Sequence, residues 1–352
     1  MKKLLLIIML LPLTINAYST SATSAILMDT DSGRIIYAKD INNARSVASI
    51  SKIMTAIIAV ESGKLNDVVI IGEEINKAYG SGIYIKNGEE LTLKDLVYGL
   101  MLRSGNDAAL AIAHYVGGSV DNFVQLMNDY AKKIGMKNST FNNPSGLDEE
   151  KGNYSTAYDM ALLTKYAMQN KEFKQVVGTK KYELKTNLNY YSWTNKNKLL
   201  SLYKYATGGK TGFTTKARRT LVTTASKNNV NLVAVTLNDG DDFNDHKNLF
   251  EEAFKEYKNY QILNKDKITI LGENYYKNYQ FYLKEDFNYS LKKEEVDDIL
   301  IKFELKKLSD YKNNDKVGKV LVYLKEELIY ENAIYIKKST KNIFKKVFNH
   351  IW

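Results

Sequence analysis

The pattern of apolar and polar positions divides the chain into four stretches. Behind Lys2 and Lys3, Leu4 to Leu13 is an almost unbroken apolar run, and Ala17 offers a small residue shortly after it. The run has the length of a secretory-signal core and is too short to span a bilayer comfortably. Residues 1–17 are therefore expected to be a signal peptide removed after Ala17, with the remainder working outside the cytoplasm. Residues 24–30 read as a strand, Asp31-Ser32-Gly33 as a turn, and Arg34 to Ala38 as the returning strand. Ile53 to Val60 is apolar over a helix length, while Leu93 to Val116 and Asn122 to Lys133 repeat at helical spacing. Leu221 to Ala225 and Asn231 to Leu237 are rich in β-formers and lie close together. Strands early and late with helices between them predict an α+β domain, over residues 18–258, whose sheet pairs the first strands with the last.

From about Tyr260 the period changes. Lys267–Leu271, Tyr279–Leu283, Ile299–Leu305 and Lys319–Leu324 alternate as short strands, which predicts a small β-rich domain over residues 259–335. In the last segment Ile343, Phe344, Val347, Phe348, Ile351 and Trp352 recur at helical spacing among Lys337, Lys338, Lys341, Lys345 and Lys346, and Ser339 can cap the start. Residues 336–352 are thus expected to form a basic amphipathic helix lying on an anionic membrane surface.

Composition narrows the chemistry. The 352 residues carry a net charge of +10 and no cysteine. Anionic partners are favoured, and disulfides, thiolate nucleophiles and Cys-type zinc sites are excluded. A Ser-His-Asp triad would need His114, His246 or His350, and none of these sits in a triad motif. No cluster has metal-ligand spacing, so neither metal nor cofactor is expected. No basic-aromatic motif points to nucleic acid.

Three short motifs remain. In Ser49-Ile50-Ser51-Lys52, at the start of a helix, the hydroxyl and the amine share one face. A serine is a weak nucleophile until a base takes its proton, and a lysine made neutral by burial can be that base. The helix N-terminus disfavours the ammonium and favours an oxyanion. The spacing alone is weak, since it recurs at Ser201/Lys204, Ser290/Lys293 and Ser309/Lys312. Ser104-Gly105-Asn106, between helical segments, adds a hydroxyl able to relay a proton and an amide able to bind a peptide group. Ser226-Lys227-Asn228 has the same spacing but falls out of order. Lys210-Thr211-Gly212-Phe213 precedes a strand pair, where an edge strand can accept an extended peptide. A phosphate loop is excluded, because the glycine it needs is replaced by Lys204.

The ordered set Ser-x-x-Lys, Ser-x-Asn, Lys-Thr-Gly is shared by penicillin-binding proteins and serine β-lactamases. With Ala25-Ile26-Leu27-Met28-Asp29, Asn143-Pro144-Ser145-Gly146-Leu147-Asp148 and Tyr154-Ser155-Thr156-Ala157-Tyr158-Asp159, the chain resembles the low-molecular-mass D-alanyl-D-alanine carboxypeptidases. The resemblance implies an antiparallel sheet flanked by helices and followed by a β-rich domain. It also implies a peripheral enzyme on the outer face of the cytoplasmic membrane. Such an enzyme trims peptidoglycan stem peptides and is acylated by β-lactams. It makes Ser49 the nucleophile, Lys52 its base, Ser104 a proton relay and Asn106 a positioning group. Lys210 and Thr211 would hold the terminal carboxylate, Gly212 would admit the substrate backbone, and the N–H groups of Ser49 and Phe213 would form an oxyanion hole.

Two departures matter. Some relatives carry a downstream arginine for the substrate carboxylate, where this chain has Asp241-Asp242-Phe243-Asn244-Asp245-His246; His246, Arg218 and Arg219 stand as alternatives. Val47 stands where many relatives have proline, with little consequence expected. A β-lactamase would need a deacylating glutamate, and Glu149 and Glu150 are not in that family's pattern. A non-catalytic scaffold gives no reason for Ser49, Lys52 and Lys210 together.

Overall fold

A computed structural model describes residues 18–148 and 151–339. The signal segment and nearly all of the C-terminal helix expected from the sequence lie outside these residues. The strands that place the site are β1 (Ser24–Asp29) and β2 (Ile35–Lys39), then, much later, β3 (Ala206–Thr214), β4 (Arg218–Lys227) and β5 (Val230–Leu237). They form one antiparallel sheet in the order β2-β1-β5-β4-β3. This is the predicted pairing of early with late strands, and it leaves β3 at the edge.

Every residue of β1 is buried, because both faces of the sheet are covered. Ile26 and Met28 point to the larger core and Leu27 to a second one. The larger core is built by α1 (Lys52–Glu61), α2 (Leu93–Tyr98), α3 (Asn106–Gly117), α4 (Val120–Ile134), α5 (Ala157–Ala167) and α6 (Lys171–Gly178). On the opposite face, α7 (Asp242–Glu256) packs Leu249, Phe250 and Ala253 against Leu232 and Ala234. The run Ile53–Val60, recognised by its apolarity alone, is buried throughout. An all-round apolar helix belongs at the centre of a domain, so α1 is a fixed post rather than a surface element.

The chain leaves α7 directly into β6 (Tyr257–Leu263). There follow β7 (Tyr279–Tyr282), β8 (Phe287–Lys292), β9 (Ile299–Leu305), β10 (Lys316–Leu324) and β11 (Glu327–Lys338). β6 pairs with β8, and the other four form a sheet in the order β7-β11-β10-β9 around a separate apolar core. Two expectations need correcting. Lys267–Leu271 is not a strand: only Ile268 bridges to Phe281, and the chain turns at Gly272. The segment expected to be helical from 336 begins as strand, because β11 runs through Lys338 while pairing with β7. The two parts meet where Ser290 Oγ donates to Asp29 Oδ2 at 2.6 Å and Arg34 forms an ion pair with Glu295 at 2.5 Å. Among the described residues no helix is long and apolar enough to cross a membrane.

Candidate active site

The nucleophile motif differs in detail from a simple helix start. Ala48–Ser51 is a 3₁₀ turn running into α1. With three residues per turn, positions i and i+3 eclipse, which sets Lys52 directly over Ser49. Ala48 takes a left-handed conformation at φ 50°, a strained state for a residue with a side chain. Ser49 is half-buried and Lys52 fully buried.

Lys52 Nζ has three neighbours. It lies 3.0 Å from Ser49 Oγ and 2.7 Å from Asn106 Oδ1, and closer still to the Ser145 carbonyl oxygen. Burial, seconded by the charge of Lys210, pushes its pKa well below the ordinary lysine value. A neutral amine carries two N–H bonds and one lone pair. Asn106 Oδ1 and Ser145 O can only accept, so they take the two N–H bonds. The lone pair is then left for the Ser49 hydroxyl.

The Ser145 carbonyl belongs to the Asn143–Gly146 turn, which is stitched to α1. Thr55 Oγ1 donates to Pro144 O at 2.7 Å, and Asn153 Nδ2 donates to Ser51 Oγ at 3.0 Å and to Asn143 O at 2.9 Å. Gly146 closes the turn at φ 78°, and a Cβ there would collide with the Ala48 carbonyl.

Ser104 and Asn106 are set by the end of a wide helical turn at Gly99–Arg103. Ser104 is left-handed at φ 66°, and Asn106 opens α3. Asn106 N donates to Ser81 O at 2.7 Å, and its Nδ2 donates to Tyr79 O at 2.5 Å. The next residue, Asp107, accepts from Ile83 N at 3.0 Å and from Tyr84 N at 2.6 Å. The 79–84 loop is thereby moulded onto the Ser-Gly-Asn segment.

The third motif lies on edge strand β3. Lys210 is buried, its Nζ donating to Thr211 O at 2.7 Å. Burial, with Lys196 nearby, pushes its pKa down to about 7. A Cβ at Gly212 would stand 3.1 Å from the backbone nitrogens of both Ser49 and Ile50, so only glycine lets β3 come this close to Ser49. Phe213 is exposed.

Ser49, Ser104, Thr211, Gly212 and Phe213 line one cavity of about 440 Å³. Lys52 and Asn106 stand behind it. Lys210, the eighth residue singled out in the sequence, does not line the cavity but is buried next to Thr211, near enough for its charge to act on Lys52. The structure adds groups the motifs did not reveal: the Ser145 carbonyl, and Ser81, Lys196 and Lys198 in the cavity wall, where Arg219, one of the three alternatives for the carboxylate, also lies beside Asp242. Arg219 pairs with Asp242, whose side chain is buried. Burial still raises the Asp242 pKa despite that cation. His246 is no candidate for the cleft. It is fully buried, with Nδ1 2.6 Å from Thr223 Oγ1 and Nε2 3.0 Å from Thr236 Oγ1. No group of three or more acidic or imidazole side chains able to hold a metal occurs among the described residues.

A five-stranded antiparallel sheet with helices on both faces, and a serine–lysine pair at the head of the buried helix, is the fold of the penicillin-binding peptidases. Penicillin binding protein 5 from Haemophilus influenzae matches with a TM-score of 0.76 and 27% identity, over 91% of this chain and 98% of that one. The family model described as D-alanyl-D-alanine carboxypeptidase, peptidase S11, matches residues 12–241, and the chain belongs to that family. The D-alanyl-D-alanine carboxypeptidase DacF of Bacillus subtilis (strain 168) is 39% identical over 220 residues, which is 61% of this chain and 56% of that protein. DacC of Escherichia coli (strain K12) is 35% identical over 257 residues, covering 69% and 63%. The matched region thus spans less than two thirds of either relative.

Proposed function

We propose that the protein is a serine-type D-alanyl-D-alanine carboxypeptidase that removes the terminal D-alanine of peptidoglycan stem pentapeptides. The observation that carries this reading is the environment of Lys52 Nζ: two obligate acceptors and one hydroxyl around a buried amine. Ser49 donates its proton to Lys52 as its oxygen bonds to the peptide carbonyl carbon. The oxyanion rests on the N–H groups of Ser49 and Phe213. The C–N bond then breaks, and the proton passes through Ser104 to the amine of the leaving D-alanine. Water, deprotonated by the same lysine, hydrolyses the ester and restores Ser49. A β-lactam follows the first half, but its leaving amine stays tethered, which slows the second.

The substrate carboxylate meets Lys210, Thr211 and Arg219. Lys210, with its pKa near neutrality, becomes fully charged when a carboxylate arrives, because a counter-ion raises an amine's pKa. Arg219 is a permanent cation in the same cavity wall. The β-rich part from about residue 259 acts as a spacer or partner module. The leader at residues 1–17 and the basic apolar C-terminus support export and attachment to the anionic outer face of the cytoplasmic membrane.

Incubation with a fluorescent penicillin, followed by intact mass, tests the acyl-enzyme; release of D-alanine from a stem pentapeptide tests the activity. A single adduct and D-alanine release, both lost in Ser49→Ala, are expected. Rapid drug turnover without a lasting adduct would indicate a β-lactamase. Neither adduct nor turnover would indicate a non-catalytic binder.

A further inference from the structure

The two N–H groups of the oxyanion hole belong to separate pieces of chain. Ser49 N–H follows the left-handed Ala48, while Phe213 lies on edge strand β3. Arg219, opposite Phe213 on β4, gives its carbonyl to Asp239 N at 3.1 Å on the β5 side. In an antiparallel ladder the N–H and C=O of one residue share a side. The Phe213–Arg219 pair is therefore not hydrogen-bonded, and the Phe213 N–H points off the sheet edge towards the cleft. Among the described residues no backbone hydrogen bond joins β3 to the 46–49 turn. The spacing of the two donors thus depends on side chains that hold strand and turn together.

Asp148 spans that gap. Its Oδ1 accepts from Ser46 Oγ at 2.6 Å, and its Oδ2 accepts from Thr214 Oγ1. Ser46 lies one turn before Ser49, and Thr214 immediately follows Phe213. Thr214 Oγ1 also accepts from Ala217 N at 3.0 Å, so the same bridge steadies the β3–β4 hairpin. A carboxylate only accepts, and each hydroxyl has one proton to give, so both hydroxyls are drawn inward onto one side chain. Gly152 leaves room for this: a Cβ there would stand 2.6 Å from Asp148 Oδ1. The residue between Ser46 and Ala48 is gripped as well. Thr220 Oγ1 of β4 donates to Val47 O at 3.0 Å, and Val47 N donates to Asn153 O at 3.3 Å. A strained conformation such as that of Ala48 persists only where its surroundings over-determine it.

We propose that Asp148 is the positioning residue of the oxyanion hole: by bridging Ser46 to Thr214 it sets the separation of the Ser49 and Phe213 N–H groups. It acts through those two amides and not on the substrate. The proposal rests on the acyl-enzyme half of the carboxypeptidase reading. Such a hole works only if its donors are already placed for the oxyanion and not for the ground-state carbonyl, so a bridge that fixes their spacing acts on the rate of acylation and leaves ground-state binding alone.

Asp148→Ala, Ser46→Ala and Thr214→Val cut the bridge at its middle and at each end. Acylation by a fluorescent penicillin is followed by stopped flow over a range of drug concentrations. Each variant should lower the limiting rate about tenfold, a fraction of the roughly 10²–10³-fold lost when a donor is removed outright. The non-covalent dissociation constant of the drug should not move. Because every cut breaks the same bridge, Ser46→Ala/Thr214→Val should lose no more than either single variant. Asp148→Asn can accept from Ser46 and donate to Thr214, so it should recover most of the rate. A peptide boronic acid with boron in place of the scissile carbonyl carbon forms a tetrahedral adduct on Ser49, with a hydroxyl where the oxyanion would sit. It should bind about tenfold more weakly wherever the bridge is cut. Losses that appear as weaker drug affinity, that add in the double variant, that persist in full in Asp148→Asn, or that spare the boronic acid would each refute the proposal. Should Asp148→Ala fail to fold, the two end variants still decide it. D-alanine release from a stem pentapeptide is measured separately: if the native protein releases none while acylation behaves as expected, the carboxypeptidase reading fails and the positioning role stands.

Discussion

Gly146→Ala isolates the contribution of one backbone carbonyl to the chemistry. At φ 78° an alanine costs about 1 kcal/mol relative to glycine, which a domain with this much buried core tolerates. The added Cβ also meets the Ala48 carbonyl and stands 2.5 Å from Ser51 Oγ. Both belong to the buried nucleophile turn, so the 143–146 turn must retreat by several tenths of an ångström or more. The Ser145 carbonyl then loses its close contact with Lys52 Nζ. One N–H of the neutral amine is left without its acceptor, at a cost of about 1–3 kcal/mol, and the lone pair is no longer held on Ser49. A displaced general base forfeits up to about 10²-fold in rate. The second-order rate of labelling by a fluorescent penicillin, followed by stopped flow, should therefore fall by about 10²-fold while cooperative thermal unfolding persists. A folded Gly146→Ala protein that acylates within about threefold of the native rate would refute the assignment of Ser145 O as the group that orients Lys52.

Three further outcomes follow from the same geometry. In the proposed mechanism acylation needs neutral Lys52, and Lys196 is among the cations that lower its pKa; Lys196→Gln relieves that repulsion, raises the Lys52 pKa and moves the acidic limb of the acylation pH profile upward, so an unmoved or downward-moved limb contradicts the electrostatics. His246 is held neutral by burial with its pKa pushed down to about 3; the unfolded chain gains a proton below about pH 6.5 that the folded one refuses, so stability is lost as pH falls from 6.5 towards 3, by about 2 kcal/mol between pH 6.5 and 5. Urea titrations of native protein and His246→Gln should differ by that amount over the interval, and parallel losses would remove His246 as the cause. Removing the cleft pair as Arg219→Gln/Asp242→Asn, which strands no buried charge, should cut kcat/KM about tenfold for a peptide ending in a free carboxylate and much less for its amide; equal losses for both would exclude Arg219 from carboxylate binding.

What the sequence revealed and what it hid divide along a physical line. Strands β1, β4 and β5 and helix α1 announce themselves because burial on both sides leaves little but apolar and β-branched or small side chains. Ser49, Lys52, Ser104, Asn106 and Lys210 each belong to a weak three- or four-residue pattern, and the information lies in the order of those patterns along the chain. Strand β11 and the hairpin Lys181–Lys185/Tyr190–Thr194 give no clear sequence signal, since they carry mixed lysine, tyrosine, asparagine and glutamate at half-buried or exposed positions, a composition that surface strands and loops share. The Ser145 carbonyl was invisible for a deeper reason. Any residue can present a backbone oxygen, so its chemistry leaves no mark on its own letter. Its mark falls on its neighbours instead: on Gly146, which alone can close the turn, and on Asn143, whose side chain accepts from Gly146 N at 2.7 Å. Glycines and asparagines flanking a motif, with no catalytic chemistry of their own, are therefore where a sequence records the backbone groups that an active site uses.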